Sequence, residues 1–246
     1  MALGEPPQTA ILRLERMAQQ LILDILPPAQ ASFQNMVPGA NGAVIAAAQA
    51  LRGGQTMYVW GADGSGRSHL LGACALHHNG VHVRAPEAAA KLGALLALPE
   101  LPPLVAVDDA HHLDDASRAG LFGLYNRWRE CASGPQAFGL IVAGDTAPLQ
   151  MQCREDLRTR LGWGAVYRLE ALSDEQKRLA LEQHAKAQAI PLSADVLQWL
   201  LTHGSRDIRA LFAIIEALDR YALAHHRPLT LPLLKSMMAT QPCSEK

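Results

Sequence analysis

Gly61-Ala62-Asp63-Gly64-Ser65-Gly66-Arg67-Ser68 lies between an apolar run, Thr56-Met57-Tyr58-Val59-Trp60, and a stretch that reads as a helix over 68–77. A strand, a glycine-rich turn and a helix in that order form the context a phosphate-binding loop requires. Glycines let backbone N–H groups converge on phosphate oxygens, and the helix N-terminus adds positive potential. Gly61, Gly64, Ser65, Gly66, Arg67, Ser68 and His69 are therefore the candidate nucleotide cradle. The spacing is that of G-x-x-x-x-G-K-[ST], with Arg67 in the lysine position. A planar guanidinium fork is longer and differently directed than an ammonium, so nucleotide binding with weak or slow self-hydrolysis is expected. Taken alone, the loop is also compatible with a turn that merely packs tightly.

A second group narrows the choice. Leu104-Val105-Ala106-Val107-Asp108-Asp109 reads as a strand that carries two carboxylates to the carboxyl edge of a sheet, beside the first loop. Asp108, with the Ser68 hydroxyl, is the candidate Mg²⁺ site, and Asp109 is the candidate catalytic group that polarises an attacking water. Its side chain is shorter than the glutamate many ATPases use there, which again points to modest turnover. A solvated strand end is the competing reading of the acidic pair.

The elements that must hold these groups follow from the pattern of apolar residues. Helices are expected over 43–51, 68–77, 86–97 and 116–129, and short strands over 56–60, 81–83, 104–107 and 138–143. Strands alternating with helices imply an α/β fold, a parallel sheet sandwiched by helices. Beyond Leu169 the pattern changes to helices alone, over 173–188, 193–203, 206–225 and 231–238, the first opened by a Ser173–Gln176 capping box. The expected organisation is an N-terminal segment 1–28, a nucleotide-binding α/β domain 29–170 and a small all-helical lid domain 171–246.

Composition excludes several classes. The 246 residues are 49% hydrophobic and 18% charged, enough to bury a core. With 22 Lys+Arg against 23 Asp+Glu there is no global field to draw the chain onto DNA or anionic lipid, so any nucleic-acid contact is local. Four scattered cysteines without a C-x-x-C pair suggest neither zinc site nor disulfide framework and fit a reducing cytoplasm. No signal peptide or membrane span is expected. The pairs His77-His78, His111-His112 and His225-His226 lack ligand spacing with carboxylates or cysteines, so surface or packing roles are expected for them. The four tryptophans are scattered rather than arranged as a stacking platform for single-stranded nucleic acid.

From about residue 19 to 238 the chain resembles the AAA+ group, and within it the DnaA-homologous regulatory inactivators of bacterial replication. The stretches that carry the likeness are F-Q-N-M-V-P-G-A-N from Phe33, W-G-A-D-G-S-G-R-S-H-L-L from Trp60, L-F-G-L-Y-N-R from Leu121 and D-L-R-T-R-L-G-W-G from Asp156. The resemblance implies an AAA+ P-loop sheet followed by a helical lid, with ADP (or ATP) and Mg²⁺ as cofactors. It implies that Arg160 acts in trans as an arginine finger, the alternative being an ordinary surface arginine. Asp145, at the end of a sensor-like strand, reads the phosphate end of the site or caps the next turn. Arg209, in Arg206-Asp207-Ile208-Arg209, contacts nucleotide phosphate from the lid or pairs with Asp207 or Glu216. Gln20-Leu21-Ile22-Leu23-Asp24-Ile25 looks like a clamp-docking peptide, in which Gln20, Leu21, Leu23 and Ile25 fill an apolar pocket. The competing reading is an amphipathic helix over 14–25 packed on the protein's own core.

The function these readings favour is negative regulation of replication initiation. A nucleotide-bound protein docks on the DNA polymerase III sliding clamp, meets DNA mainly through that clamp, and stimulates ATP hydrolysis by the DnaA-type initiator. An end directly after the lid, without room for a helix-turn-helix DNA reader, favours this over a full initiator. Alternatives are an autonomous AAA+ ATPase serving as clamp or helicase loader, and a passive adaptor. A homo-oligomer is left open.

Overall fold

The computed structural model describes residues 30–239, which fall into two compact units, 30–172 and 173–239. The first contains, in chain order, α1 (Gly42–Gln49), β1 (Thr56–Trp60), α2 (Arg67–His77), β2 (Val81–Val83), α3 (Ala88–Ala97), β3 (Leu104–Val107), α4 (Asp115–Cys131), β4 (Gly139–Gly144), α5 (Glu155–Leu161) and β5 (Ala165–Arg168). All five strands are parallel, in the order β2-β3-β4-β1-β5. Residues of β1, β3 and β4 are buried almost without exception, because helices cover both sheet faces and leave no solvated side. Tyr58, Val105, Val107, Leu140 and Val142 pack with Leu92, Leu121, Leu124 and Tyr125 on one face. Met57, Val59, Ala106, Ile141 and Ala143 pack with Val44, Ala48, Leu70, Leu71 and Cys74 on the other.

The sequence pattern missed β5. Its residues Ala165, Val166 and Arg168 are exposed, and it lies at the sheet edge beside β1, with Met57 opposite Ala165 and Trp60 opposite Arg168. An edge strand exposed to solvent carries no apolar alternation, so its sequence resembles a turn. Gly164 admits it: a Cβ there would meet the Thr56 carbonyl of the neighbouring strand. The Gly162-Trp163-Gly164 turn is closed by Trp163 N–H donating to the Arg160 carbonyl at 3.0 Å.

The second unit contains α6 (Asp174–Ala187), α7 (Ala194–His203), α8 (Ile208–Ala224) and α9 (Leu231–Ala239) around Leu181, Val196, Leu200, Ile215, Leu218 and Leu233. Its first helix starts where the capping box was expected: Gln176 N–H donates to the Ser173 hydroxyl, and the Gln176 side chain accepts from Ser173 N–H. His184 on α6 and Glu216 on α8 meet at 3.0 Å. No helix among the described residues is long and apolar enough to cross a membrane. The readings for residues 14–25, including Gln20, Leu21, Leu23 and Ile25, lie outside the described residues.

Candidate nucleotide site and the Arg160 cluster

β1 delivers the loop to the carboxyl edge of the sheet, and α2 begins at its end. Gly64 and Gly66 take φ values of +78° and +94°, which L side chains rarely adopt, and Gly66 is the N-cap of α2. No side chain caps this helix, so its first N–H groups keep their potential for an anion. Ser65 Oγ is buried without a hydrogen-bond partner, as expected of a group that serves a ligand.

Arg67 does not project from the loop. Its guanidinium is buried, with Nη1 donating to the Gly61 carbonyl and Nη2 donating to Asp63 Oδ1 at 3.1 Å. The same Nη2 stands 3.6 Å from Asp109 Oδ1. The fork is thus engaged by the loop's own carbonyl and by two carboxylates. A lysine could not span all three positions, since its donors share one nitrogen.

β3 and β4 lie side by side, and their ends bring the acidic residues to this loop. Asp108 is 1% exposed, which makes its contacts decisive. Ser68 hydrogen-bonds its carboxyl, the Asp109 N–H donates to Oδ1 at 3.0 Å, and His82 Nε2 on β2 lies 3.4 Å from Oδ2. Burial opposes ionisation of Asp108, but the adjacent His82 and Ser68 side chains and the Asp109 amide outweigh it and hold the carboxyl below its ordinary range. The chemistry of this donor set fits Mg²⁺: a hydroxyl and an ionised carboxylate, both oxygen ligands, at the start of a phosphate-binding helix.

Asp109 has a left-handed backbone (φ 48°, ψ 47°), and the 3-10 turn Ala110–His112 follows it directly. That turn corrects the expectation for the histidine pair. His111 and His112 return to the side of Asp109, and one ligand atom from each of the three residues lies within 4.8 Å of the others. Sequence spacing alone hid this, because the curl depends on the left-handed residue. His111 Nδ1 is 3.9 Å from Asp145 Oδ1, and burial lowers the His111 pKa, with the Asp145 charge opposing. Asp145 itself is exposed at the end of β4, where it accepts a hydrogen bond from the Thr146 hydroxyl. His69 is buried in the first turn of α2, with Nε2 2.9 Å from the Ser32 carbonyl, so the ring ties that helix to the segment before α1.

Arg160 is on α5. It is half-buried against α4. Nη1 donates to the Phe122 carbonyl at 3.2 Å and to Asn126 Oδ1 at 2.6 Å. The guanidinium carbon lies 3.5 Å from the centre of the Phe122 ring and 5.2 Å from that of Trp163. Among the described residues no carboxylate lies within ion-pair distance of Arg160, so these contacts orient the cation without neutralising it. Desolvation and the nearby Arg129 charge weaken its hold on the proton, with Asp156 opposing.

Sequence reasoning missed Phe122 and Asn126 as supports. The available signal was their i, i+4 spacing in L-F-G-L-Y-N-R, which puts them on one face of α4. It also missed His82, whose strand becomes a neighbour of β3 only in the sheet. In the lid, Arg209 pairs with Asp207, its Nη2 donating at 3.0 Å to Oδ2, while Asp207 caps α8 by accepting from Arg209 N–H. Glu216, the other partner considered, is taken by His184.

Comparison with known proteins places this geometry. Domain III of the replication initiation protein DnaA from Thermotoga maritima superposes with a TM-score of 0.66 at 16% identity, over 87% of this chain and 98% of that one. AMPPCP-bound DnaA from Aquifex aeolicus gives 0.58 at 18% identity, over 78% and 65%. The Thermotoga maritima RuvB Holliday junction branch migration motor gives 0.54 at 16% identity, over 79% and 64%. The fold is therefore one shared with domain III of DnaA. Residues 174–238 match the family described as Hda, lid domain. That match lies wholly within the helical unit, the part of the chain expected to be a lid.

Proposed function

We propose that this protein is a negative regulator of chromosomal replication initiation. It binds adenine nucleotide, most stably ADP, docks on the DNA-loaded sliding clamp through Gln20, Leu21, Leu23 and Ile25, and lends Arg160 to the ATP held by the DnaA-type initiator. The observation that carries this reading is the environment of Arg160. A guanidinium stacked on Phe122 and steered by Asn126, with no carboxylate among the described residues to neutralise it, suits delivery to an anion on another molecule.

On the chain's own side, the N–H groups at the start of α2 and the Ser65 hydroxyl would bind phosphate oxygens, and Ser68 with Asp108 would hold Mg²⁺, which neutralises phosphate charge when bound. Asp145 is assigned to the phosphate end of the same nucleotide. His69 supports the cradle by fixing α2 against Ser32. The Arg67–Asp109 contact favours holding nucleotide over hydrolysing it, because the carboxylate that would polarise water is already paired with a cation. In the initiator, charge develops on the γ-phosphate as the bond to it breaks, and a preoriented guanidinium meets that charge without reorganising. Arginine fingers raise rates by about 10³ to 10⁵ in GTPases.

The test is initiator ATP hydrolysis in the presence of clamp loaded on DNA, with the unmodified chain or with Arg160→Ala. Loss of stimulation by ~10²-fold or more is expected. Unchanged stimulation would leave the protein an adaptor. Rapid phosphate release by the isolated chain, abolished by Asp109→Ala, would make it an autonomous ATPase.

A further inference from the structure

We propose that Asp109, His111 and His112 form a binding site for a divalent cation of the zinc class at the rim of the phosphate loop. The left-handed backbone at Asp109 and the 3-10 turn after it bring one carboxylate and two imidazoles to a common point, with ligand atoms within 4.8 Å of one another. Ligands around a tetrahedral Zn²⁺ with bonds of about 2.0–2.1 Å lie ~3.4 Å apart, so a small closure of side chains completes the set. The two imidazole rings already lie 4.0 Å apart, centre to centre.

A separate observation points to the same place. His111 Nδ1 is buried and makes no hydrogen bond, and Asp145 stands beside it at 3.9 Å. With Nε2 as the ligating atom, the Nδ1 side of His111 faces Asp145, and a carboxylate on that side of a ligating imidazole is the usual outer support of a metal site that orients the ring. Two nitrogen donors and one oxygen donor select Zn²⁺, Co²⁺ or Ni²⁺ over Mg²⁺. The site is therefore chemically distinct from the oxygen-only pair Ser68 and Asp108.

The local charges agree with a cation. Asp145 faces the cluster from 3.9 Å off His111 Nδ1, and Arg67 opposes it, from 3.6 Å off Asp109 Oδ1. A metal that takes the Asp109 carboxylate competes with Arg67 for it and frees one arm of the fork. Metal binding thus loosens the clasp that holds the phosphate loop. This coupling rests on the nucleotide reading above, whereas the binding of the metal does not.

The experiment is titration of the full-length chain, free of nucleotide, with Co²⁺ followed by its visible absorption, and then displacement by Zn²⁺. One ion per chain is expected, displaced by micromolar Zn²⁺ and not by millimolar Mg²⁺. His112 is exposed, so His112→Ala tests the site without endangering the fold and should weaken binding ~10-fold or more. His225→Ala with His226→Ala should leave it intact. Absence of binding, or binding that survives His112→Ala unchanged, would overturn the site. If the metal binds as expected but ADP affinity does not respond to Zn²⁺, the coupling fails while the site stands.

Discussion

Arg67 Nη2 stands 3.6 Å from Asp109 Oδ1, so the cation of the phosphate loop and the carboxylate suited to activating water neutralise each other. Because both side chains serve one another, neither is free for turnover. The isolated chain should release phosphate from ATP slowly. Arg67→Lys, which cannot bridge the Gly61 carbonyl, Asp63 and Asp109 together, should raise that release several-fold. A phosphate-release assay on both proteins checks this, and equal rates would show that the contact does not restrain the site.

Asn126 holds Arg160 through a 2.6 Å hydrogen bond and leaves its charge intact. Asn126→Ala should cost about 1 kcal/mol of stability, the worth of one partly exposed hydrogen bond to a charged group. It should also reduce stimulation of the initiator several-fold. Asn126→Asp separates the two effects. The new ion pair should hold or slightly raise stability, by up to ~1 kcal/mol, yet stimulation should fall at least as far as in the alanine variant, because Arg160 now carries its own counter-charge. Thermal melts beside the clamp-dependent hydrolysis assay read both signs.

Replacing Gln20 and Leu21 with alanine should weaken association with the sliding clamp without changing Tm. Surface plasmon resonance on immobilised clamp and a thermal melt together decide it. A drop in Tm of several degrees would instead support a helix over 14–25 that packs on the protein itself.

Acid should destabilise the α/β unit in a defined order. Burial lowers the His111 pKa despite Asp145, so the unfolded chain takes up a proton first. Stability is fully present above the ordinary imidazole pKa of about 6.5 and falls as pH drops below it. The Asp108 carboxyl is also held low. Its contribution is present above the ordinary carboxylate value of ~3.9 and is lost as pH falls through its lower folded value. Denaturant midpoints measured between pH 7 and 3 should fall throughout, most steeply below about pH 4. His82→Ala removes a neighbour that favours the Asp108 carboxylate, so the folded pKa rises toward the unfolded one and the steep part should become shallower.

The buried strands and the lid helices were legible because their patterns are strong and local. Leu104-Val105-Ala106-Val107 can hardly be anything but a strand between helices, and Ser173 and Gln176 cap a helix with atoms three residues apart. The phosphate loop was legible for the same reason, since its glycines act on their own backbone. β5 was not, because an exposed edge strand has no apolar side to betray it. The approach of His111 and His112 to Asp109 was not legible either, because it depends on one left-handed residue whose conformation the sequence does not announce.

The sequence by itself determined the order of the first four strands and the helices between them, the loop with Arg67 in place of lysine, and the acidic pair after β3, all of them consequences of short-range sterics and apolar periodicity. Only the tertiary structure decided what those charges do. Arg67 turns back onto Asp63 and Asp109, His82 meets Asp108 across neighbouring strands, and Arg160 settles on Phe122 and Asn126 of a distant helix. The physical reason is that Coulomb and hydrogen-bond energies depend on separations of a few ångströms. Such distances between residues far apart in the chain come into being only when the sheet and its helices close around a common core.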